Sequence, residues 1–368
     1  MKYYLTSESV TEGHPDKICD KISDFILDEA LRQDKYSKMA VETTIKDDLI
    51  LIYGEATTKA KLDYEALAKK VLKDIGYTEK YNVLVKVSIQ SIEINSAVEK
   101  EKIMAGDQGI MFGYATNETK EYMPLSILLA NKLAQRLTIV RKENKNSILK
   151  PDGKTQVTIE YENNIPKRVD TIIIAAQHKE NIAKKELEKL IINEVINKVV
   201  PTNLIDKNTK ILINTSGKFT IGGSFGDSGT TGRKIVADTY GGIGKVGGGC
   251  FSSKDPSKVD RSGAYYARYV AKNIIAHNYS DKCEIELAYA IGKEYPISFY
   301  INTFNTNKVE LKEIYDYVYN NFNFSVDNII KELDLLKPIY YNLASYGHFG
   351  RTDLNLSWEK IKETNNIL

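Results

Sequence analysis

The sequence predicts an α+β protein made of three similar domains, and two observations carry that prediction. A chain of 368 residues is too long for one ordinary hydrophobic core, and its composition, 42% hydrophobic and 27% charged, is that of a globular protein. One element order then returns three times along it. A helix, a β-hairpin and a second helix recur at intervals of roughly 110–130 residues. The copies share negligible residue identity, so the repeat rests on element order alone.

The first copy opens at His14-Pro15-Asp16. Proline suits the first helical position, and Ile18, Ile22, Phe25, Ile26 and Leu31 follow as an apolar stripe. Residues 39–46 and 49–55 read as strands joined at Asp47-Asp48, followed by a helix over 64–74 that Gly76 ends and a strand over 83–90. The second copy has a helix over 124–142, a hairpin of 155–161 and 168–176, a helix over 184–198 and a strand over 210–213. The third has a helix over 260–277, a hairpin of 284–291 and 297–304 across Gly292-Lys-Glu-Tyr-Pro296, and helices over 309–320 and 326–335. Between the copies, residues 91–104 are charged and lack clear periodicity, a candidate mobile segment. Gly106-Asp-Gln-Gly-Ile-Met-Phe-Gly-Tyr114 is punctuated by glycine, and residues 215–260 hold most of the remaining glycine. Long polar connections of this kind are usually functional loops.

Composition excludes several classes. A net charge of +2 supplies no global field toward nucleic acid or a membrane surface. No uncharged apolar run approaches the ~20 residues that span a bilayer. The first residues, Met1 to Glu8, lack the apolar core of a signal peptide. Cys19, Cys250 and Cys283 are odd in number and far apart, matching neither a zinc spacing nor a disulfide framework. The expectation is a cytoplasmic protein with reduced thiols and no nucleic-acid or membrane partner.

The chemistry concentrates in two glycine-rich stretches. In Gly247-Gly-Gly-Cys-Phe-Ser-Ser-Lys-Asp-Pro-Ser-Lys-Val-Asp260, bare backbone donors, Lys254 and Lys258 precede a helix N-terminus. Gly222-Gly-Ser-Phe-Gly-Asp-Ser-Gly-Thr-Thr-Gly-Arg-Lys234 is of the same kind. With Lys154 in Pro151-Asp-Gly-Lys, the two stretches offer five cations: Lys154, Arg233, Lys234, Lys254 and Lys258. A nucleoside triphosphate carries about four negative charges, and charged hydrogen bonds of about 1.5–3 kcal/mol each can hold it against water. The two stretches are therefore read as walls of one polyphosphate pocket. A P-loop is rejected, because Ile148 stands where its first glycine belongs. Gly242-Ile-Gly-Lys-Val-Gly247 matches the dinucleotide pattern, but further glycines and Pro256 follow where that motif needs a helix.

Other residues admit two readings. His14 and Asp16 can simply cap a helix and complement its dipole, or Asp16 can hold Mg²⁺, a hard cation that takes carboxylate and phosphate oxygens. Asp107 can be a turn residue, and Lys154 and Lys218 exposed turn lysines. His178, His277 and His348 face no evident base or nucleophile and are read as structural. No Ser–His–Asp or Cys–His arrangement can be assembled.

Four blocks resemble the S-adenosylmethionine synthetase (methionine adenosyltransferase) family, nearly end to end: Ser7-Glu-Ser-Val-Thr-Glu-Gly-His-Pro-Asp-Lys17, Gly106 to Glu118, Gly247 to Arg261, and Tyr346-Gly-His-Phe-Gly-Arg351. The resemblance implies three similar βαββαβ-type domains about a pseudo-threefold axis, interleaved in sequence, with approximate bounds 1–98, 105–222 and 223–368. It implies a reaction in which the methionine sulfur attacks C5′ of ATP and expels the triphosphate, which is cleaved to pyrophosphate and phosphate. Sulfur has no proton to lose, so no general base is needed; the demand is for fixed donors around the departing charge.

By this resemblance His14 hydrogen-bonds near the leaving oxygen, and Lys154, Arg233, Lys234 and Lys254 grip the phosphates. Lys218 and Phe219 line the ATP site, to which Asp107, Asp152, Asp227 and Cys250 also belong. Glu55, Gln90, Asp227 and Lys258 hold methionine. Two Mg²⁺ per site are implied, on Asp16 and Asp260, with a K⁺ site at Glu42. A homodimer with shared active sites, and a dimer of dimers as the homotetramer, is implied too. Departures from the family pattern are Lys218 for an arginine, Met104 for a glycine, and Cys250 and Ser253 for alanine and glycine, while the stretch 90–107 is shorter than in the common bacterial form. A catalytically silent nucleotide-binding protein and an ATP/Mg²⁺-dependent kinase are the alternative readings.

Overall fold

The computed structural model describes residues 1–89, 103–144 and 146–363. Its elements are β1 (Lys2–Val10), α1 (Pro15–Gln33), β2 (Lys38–Lys46), β3 (Leu49–Thr57), α2 (Tyr64–Ile75), β4 (Asn82–Ser88), β5 (Gly109–Thr116), α3 (Leu125–Glu143), β6 (Leu149–Glu162) and β7 (Ile165–His178). They continue with α4 (Lys184–Leu190), β8 (Lys210–Ile213), β9 (Gly229–Thr230), α5 (Ile235–Asp238), α6 (Val259–Ala276), β10 (Lys282–Tyr289), β11 (Ser298–Asn302), α7 (Leu311–Asn321) and α8 (Val326–Glu332).

The strands form three sheets, in the orders β9-β2-β3-β4, β1-β6-β7-β8 and β5-β10-β11. Each is centred on one hairpin, which is the repeat unit seen in the sequence. The connection between them is cyclic. β1 pairs antiparallel with β6, β5 with β10, and β9 with β2. Each short strand therefore leaves its own stretch of chain and completes the next sheet, and the last returns to the first. The stretches of chain that hold the three sheets, residues 38–230, 2–213 and 109–302, therefore overlap one another.

Four differences from the sequence reading have physical causes. β1 was not anticipated, because only one of its faces is buried and Tyr3, Leu5 and Val10 do not alternate cleanly enough to announce it. β5 falls in the glycine-punctuated connection; its residues are buried on both sides, against α6 and β10, so they show a run rather than an alternation. Lys154, offered as a turn residue, lies inside β6, opposite Val10 and Ala175, past a register shift between Leu149 and Gly153. The helix over 184–198 changes to a π-helical segment at Ile191–Ile196 and ends as an α turn at Asn197–Val199. A π turn brings residues five apart onto one face, here the fully buried Ile191 and Ile196. Among the described residues the third sheet has no parallel fourth strand matching β4 and β8.

α1 lies at the centre, buried around almost its whole circumference. Its apolar face, Ile18, Ile22 and Ile26, lies in the core, where α1 packs against β2 and α2. Its polar face is buried as well. Asp24 receives both terminal nitrogens of Arg261, each at 2.8 Å, and accepts from Ser252 Oγ at 3.0 Å and Ser253 N–H at 3.1 Å. Removing one partner of a buried, fully bonded ion pair strands the other charge, at a cost of about 3–5 kcal/mol. Asp24→Ala is accordingly expected to lose that much unfolding free energy in a urea titration; a change below about 1 kcal/mol, the size of an exposed pair, would show that Arg261 finds another partner.

Candidate active site

The site is built on α1. Asp16, Asp20, Asp24 and Asp28 recur every four residues along it, on one face of the helix. Asp16 Oδ1 accepts from Thr230 N–H at 3.0 Å, and Asp20 Oδ1 from Gly232 N–H at 2.8 Å. Asp24 takes Ser253 N–H, and Asp28 takes the N–H groups of Tyr340 and Tyr341, each at 2.9 Å. One helix thus holds both glycine-rich stretches and the C-terminal segment. The aspartates must be buried to do so, and burial pushes Asp28 up to about 6, against the pull of the two tyrosine N–H groups.

The first group gathers at the N-terminus of α1. His14 is the N-cap, its Nδ1 accepting from Asp16 N–H at 3.2 Å. Burial, with the Lys234 ammonium next in weight, pushes the imidazole down to about 4, so it is neutral at pH 7. With Nδ1 accepting, the proton sits on Nε2, which is left as a donor. Asp16 contacts Lys234 Nζ at 2.5 Å and Arg233 Nε at 3.8 Å. Burial opposes its charge, but Lys234 and Thr230 N–H outweigh that and hold the carboxyl below its usual value. Lys154 and Asp227 act on His14 electrostatically, and both are exposed, as is most of Arg233. Lys154 and Lys234 therefore bear on one neutral imidazole, and Arg233 reaches the neighbouring Asp16.

The second group lies where the 247–260 stretch docks on the first sheet. Lys254 forms an isolated bridge with Ala40, and its ammonium meets Asp260 Oδ2 at 2.5 Å. Glu42 and Glu55 stand on the same sheet face, since Ala40 is opposite Glu55 and Glu42 opposite Tyr53. A Cβ on Gly249 would fall 2.1 Å from Asp260 Oδ2, so only glycine lets the carboxylate lie against that backbone. Asp107 arrives through Gly106, whose N–H donates to Ser257 O at 3.0 Å. Asp107 itself accepts from Gln108 N–H at 2.7 Å, a turn contact. Lys258 is buried and ion-paired with Asp255. Cys250, whose thiol burial pushes up to about 11, packs against Gly232. There the two groups meet: Gly232 is held at φ +82°, and an added Cβ would sit 2.5 Å from that of Cys250.

The remaining candidates take supporting places. Asp152 is buried and accepts from Gly223 N–H at 2.8 Å; burial pushes it up to about 6, against that hydrogen bond. Lys218 is exposed, and Phe219 is held by His178, through Phe219 N–H to Nε2 at 3.2 Å and His178 N–H to Phe219 O at 2.9 Å. Gln90 lies outside the described residues. His348 is fully buried, paired through Nδ1 with Tyr265 Oη at 2.8 Å. The three cysteines are free thiols.

Sequence reasoning missed the residues that hold the loops, Asp20, Asp24, Asp28 and Tyr77, while His178, read as structural, holds the Phe219 backbone. The aspartates did leave a signal, the four-residue period on a helix whose other face is apolar. Tyr77, which donates to Gly13 O at 2.7 Å and walls Gly223, left none. Among the described residues no group of three or more His, Cys, Asp or Glu is gathered to hold a metal ion. Asp16 and Asp260 instead stand as single carboxylates, each in contact with a lysine. That donor set suits Mg²⁺, which binds through one or two carboxylates and completes its shell with water and substrate phosphate. Among the described residues no helix is long and apolar enough to cross a membrane.

Comparison with known proteins agrees along the whole chain. Residues 2–102 match the family "S-adenosylmethionine synthetase, N-terminal domain", 102–219 the central domain and 221–360 the C-terminal domain. The S-adenosylmethionine synthase of Finegoldia magna is 49% identical over 377 residues, covering 97% of this chain and 96% of its own. That of Clostridium botulinum (strain Alaska E43 / Type E3) is 49% identical over 387 residues, covering 100% and 99%. That of Clostridium tetani is 48% identical over 391 residues, covering all of both chains.

Two outcomes follow from the geometry. Because the folded chain lowers the pKa of His14 from 6.5 to about 4, the unfolded chain binds a proton there first as pH falls. His14 therefore adds stability above pH 6.5 that is lost progressively toward pH 4. NMR titration of the labelled imidazole should give a value below 5, rising in Lys234→Ala; a value near 6.5 would show an open, solvated ring. Separately, Ser253 is held at φ +82° with its buried hydroxyl unpartnered. Ser253→Gly should raise the thermal midpoint, by about 1 kcal/mol of stability.

Proposed function

The chain belongs to the S-adenosylmethionine synthetase family and makes S-adenosylmethionine from ATP and methionine, and we propose the roles by which its own residues do so. The observation that carries the proposal is the neutral His14, donor nitrogen free, among Lys154, Arg233 and Lys234. An imidazole with Nδ1 occupied can only give a proton-bearing nitrogen to its ligand, and the leaving oxygen of a triphosphate is an acceptor.

The methionine sulfur uses a lone pair to bond C5′, the C5′–O5′ bond breaks, and the triphosphate leaves with that electron pair. No proton moves, so the step needs no general base. His14 Nε2–H meets the growing charge on the departing oxygen. Lys154, Arg233 and Lys234 take the phosphate oxygens, and Lys254 joins them from the second group. Fixed donors of this kind cost no reorganisation when charge develops. Lys218 and Phe219 border the nucleoside, with Asp107, Asp152, Asp227 and Cys250 around it. Glu55, Gln90, Asp227 and Lys258 receive methionine.

Asp16 and Asp260 would each hold one Mg²⁺, and Glu42 a K⁺; Mg²⁺ when bound would neutralise phosphate charge that four cationic side chains share incompletely. In the free chain the lysines themselves neutralise Asp16 and Asp260. The methionine and phosphate residues divide between two groups in one chain. The two groups adjoin at Gly232 and Cys250; the assembly is a homodimer with shared active sites, paired further as a tetramer in the cytoplasm, as the family resemblance implies.

Incubation with ATP, methionine, Mg²⁺ and K⁺ should yield S-adenosylmethionine, pyrophosphate and phosphate. ADP as product would indicate a kinase, and nucleotide binding without turnover a silent binder. Lys254→Ala should lower synthesis at least ~10²-fold with an unchanged circular dichroism spectrum, the size of effect seen for one lost transition-state donor. Normal activity in that variant would remove Lys254 from the site.

A further inference from the structure

Lys17 is almost fully buried, one residue after Asp16 in the first turn of α1. Its ammonium lies between two buried carboxylates, Asp20 at 2.9 Å and Asp238 in closer contact. Each carboxylate is tied to the segment that carries Arg233 and Lys234. Asp20 accepts from Gly232 N–H at 2.8 Å, immediately before Arg233. Asp238 donates its own N–H to Lys234 O at 2.9 Å, and its carbonyl accepts from His348 N–H at 2.9 Å. Lys17 thus joins the two ends of residues 232–238 through one ammonium, while the neighbouring Asp16 holds the Lys234 side chain between them.

Stability alone does not call for this arrangement. Burying ions is expensive, and a well-packed apolar cluster of the same volume commonly serves a fold as well or better. What the ions add is direction: each contact fixes one point of a short segment to a rigid helix. We propose that Lys17, with Asp20 and Asp238, is a positioning device that fixes residues 232–238 so that Arg233 and Lys234 present their cations to the triphosphate of ATP. None of the three touches the substrate. The proposal rests on the reading of Arg233 and Lys234 as phosphate ligands given above.

The test compares Asp238→Asn with Lys234→Ala, using steady-state kinetics with ATP and methionine varied separately, and hydrolysis of added tripolyphosphate. Asp238→Asn keeps the side-chain shape and leaves Lys17 paired with Asp20. The expected result is a KM for ATP raised at least tenfold, tripolyphosphate hydrolysis reduced in step, and a KM for methionine within twofold of the parent. A merely structural role would reduce the folded fraction, lowering kcat with both KM values unchanged; that result, or unaltered kinetics, overturns the proposal. If Asp238→Asn does not fold, Asp20→Asn, which keeps an acceptor for Gly232 N–H, is read in the same way. Failure of both to fold also overturns it, since the three residues would then be a requirement of the fold. Lys234→Ala separates the two levels. If it leaves the KM and kcat for ATP unchanged, the phosphate reading itself fails; if it is impaired while Asp238→Asn is not, only the positioning role fails.

Discussion

The interaction on which the rest depends is the burial of the acidic face of α1. Four aspartates on one side of a helix would ordinarily face water. Here each is dehydrated and satisfied by backbone N–H groups or cations from one of three distant parts of the chain: residues 230–232, residues 252–261 and residues 340–341. Carboxylates taken out of water demand their full complement of donors, and each loop is short of acceptors for its own backbone. The two deficits cancel. Loops rich in glycine, which would be free to wander as isolated segments, acquire fixed positions because the helix cannot leave its charges unpaired.

This explains how cations can be held ready without a ligand. Lys234 rests on Asp16 and Lys254 on Asp260, each at 2.5 Å, so both ammonium groups are placed and neutralised together. A polyphosphate entering with divalent metal would exchange partners rather than create charge: metal for lysine on the carboxylates, phosphate for carboxylate on the lysines. His14, whose imidazole changes charge close to neutrality in ordinary peptides, is kept neutral by burial first and by Lys234 second. The described residues around Asp16 and Asp260 therefore present a hydrogen-bond donor and fixed cations.

The cyclic exchange of short strands supplies the rigid frame. β9 lies between Ser228 and Thr231 in the glycine-rich stretch and pairs with β2, at Ile45 and Thr44. The loop that carries Arg233 is thereby sewn to the first sheet as well as to α1. β5 pairs with β10, and just before it Gly106, the neighbour of Asp107, meets Ser257. Residues more than a hundred positions apart become neighbours because each sheet is finished by a strand from elsewhere in the chain.

The sequence alone determined the α+β class, the three hairpin units, both glycine-rich stretches and the family, since these rest on local periodicity and on residue types set in fixed short patterns. It also placed His14 at the start of a helix, where the cap is a local interaction. Tertiary structure decided what is non-local: that β1, β5 and β9 leave their own units, that Lys154 sits in a strand, and that Lys234 pairs with Asp16 while Lys254 pairs with Asp260. It decided as well that the aspartates of α1 point inward. The physical reason is that a charge on a helix face reads as solvated until its partners are known, and those partners lie hundreds of residues away. Spacing records which residues share a face, but only the folded chain shows what that face meets.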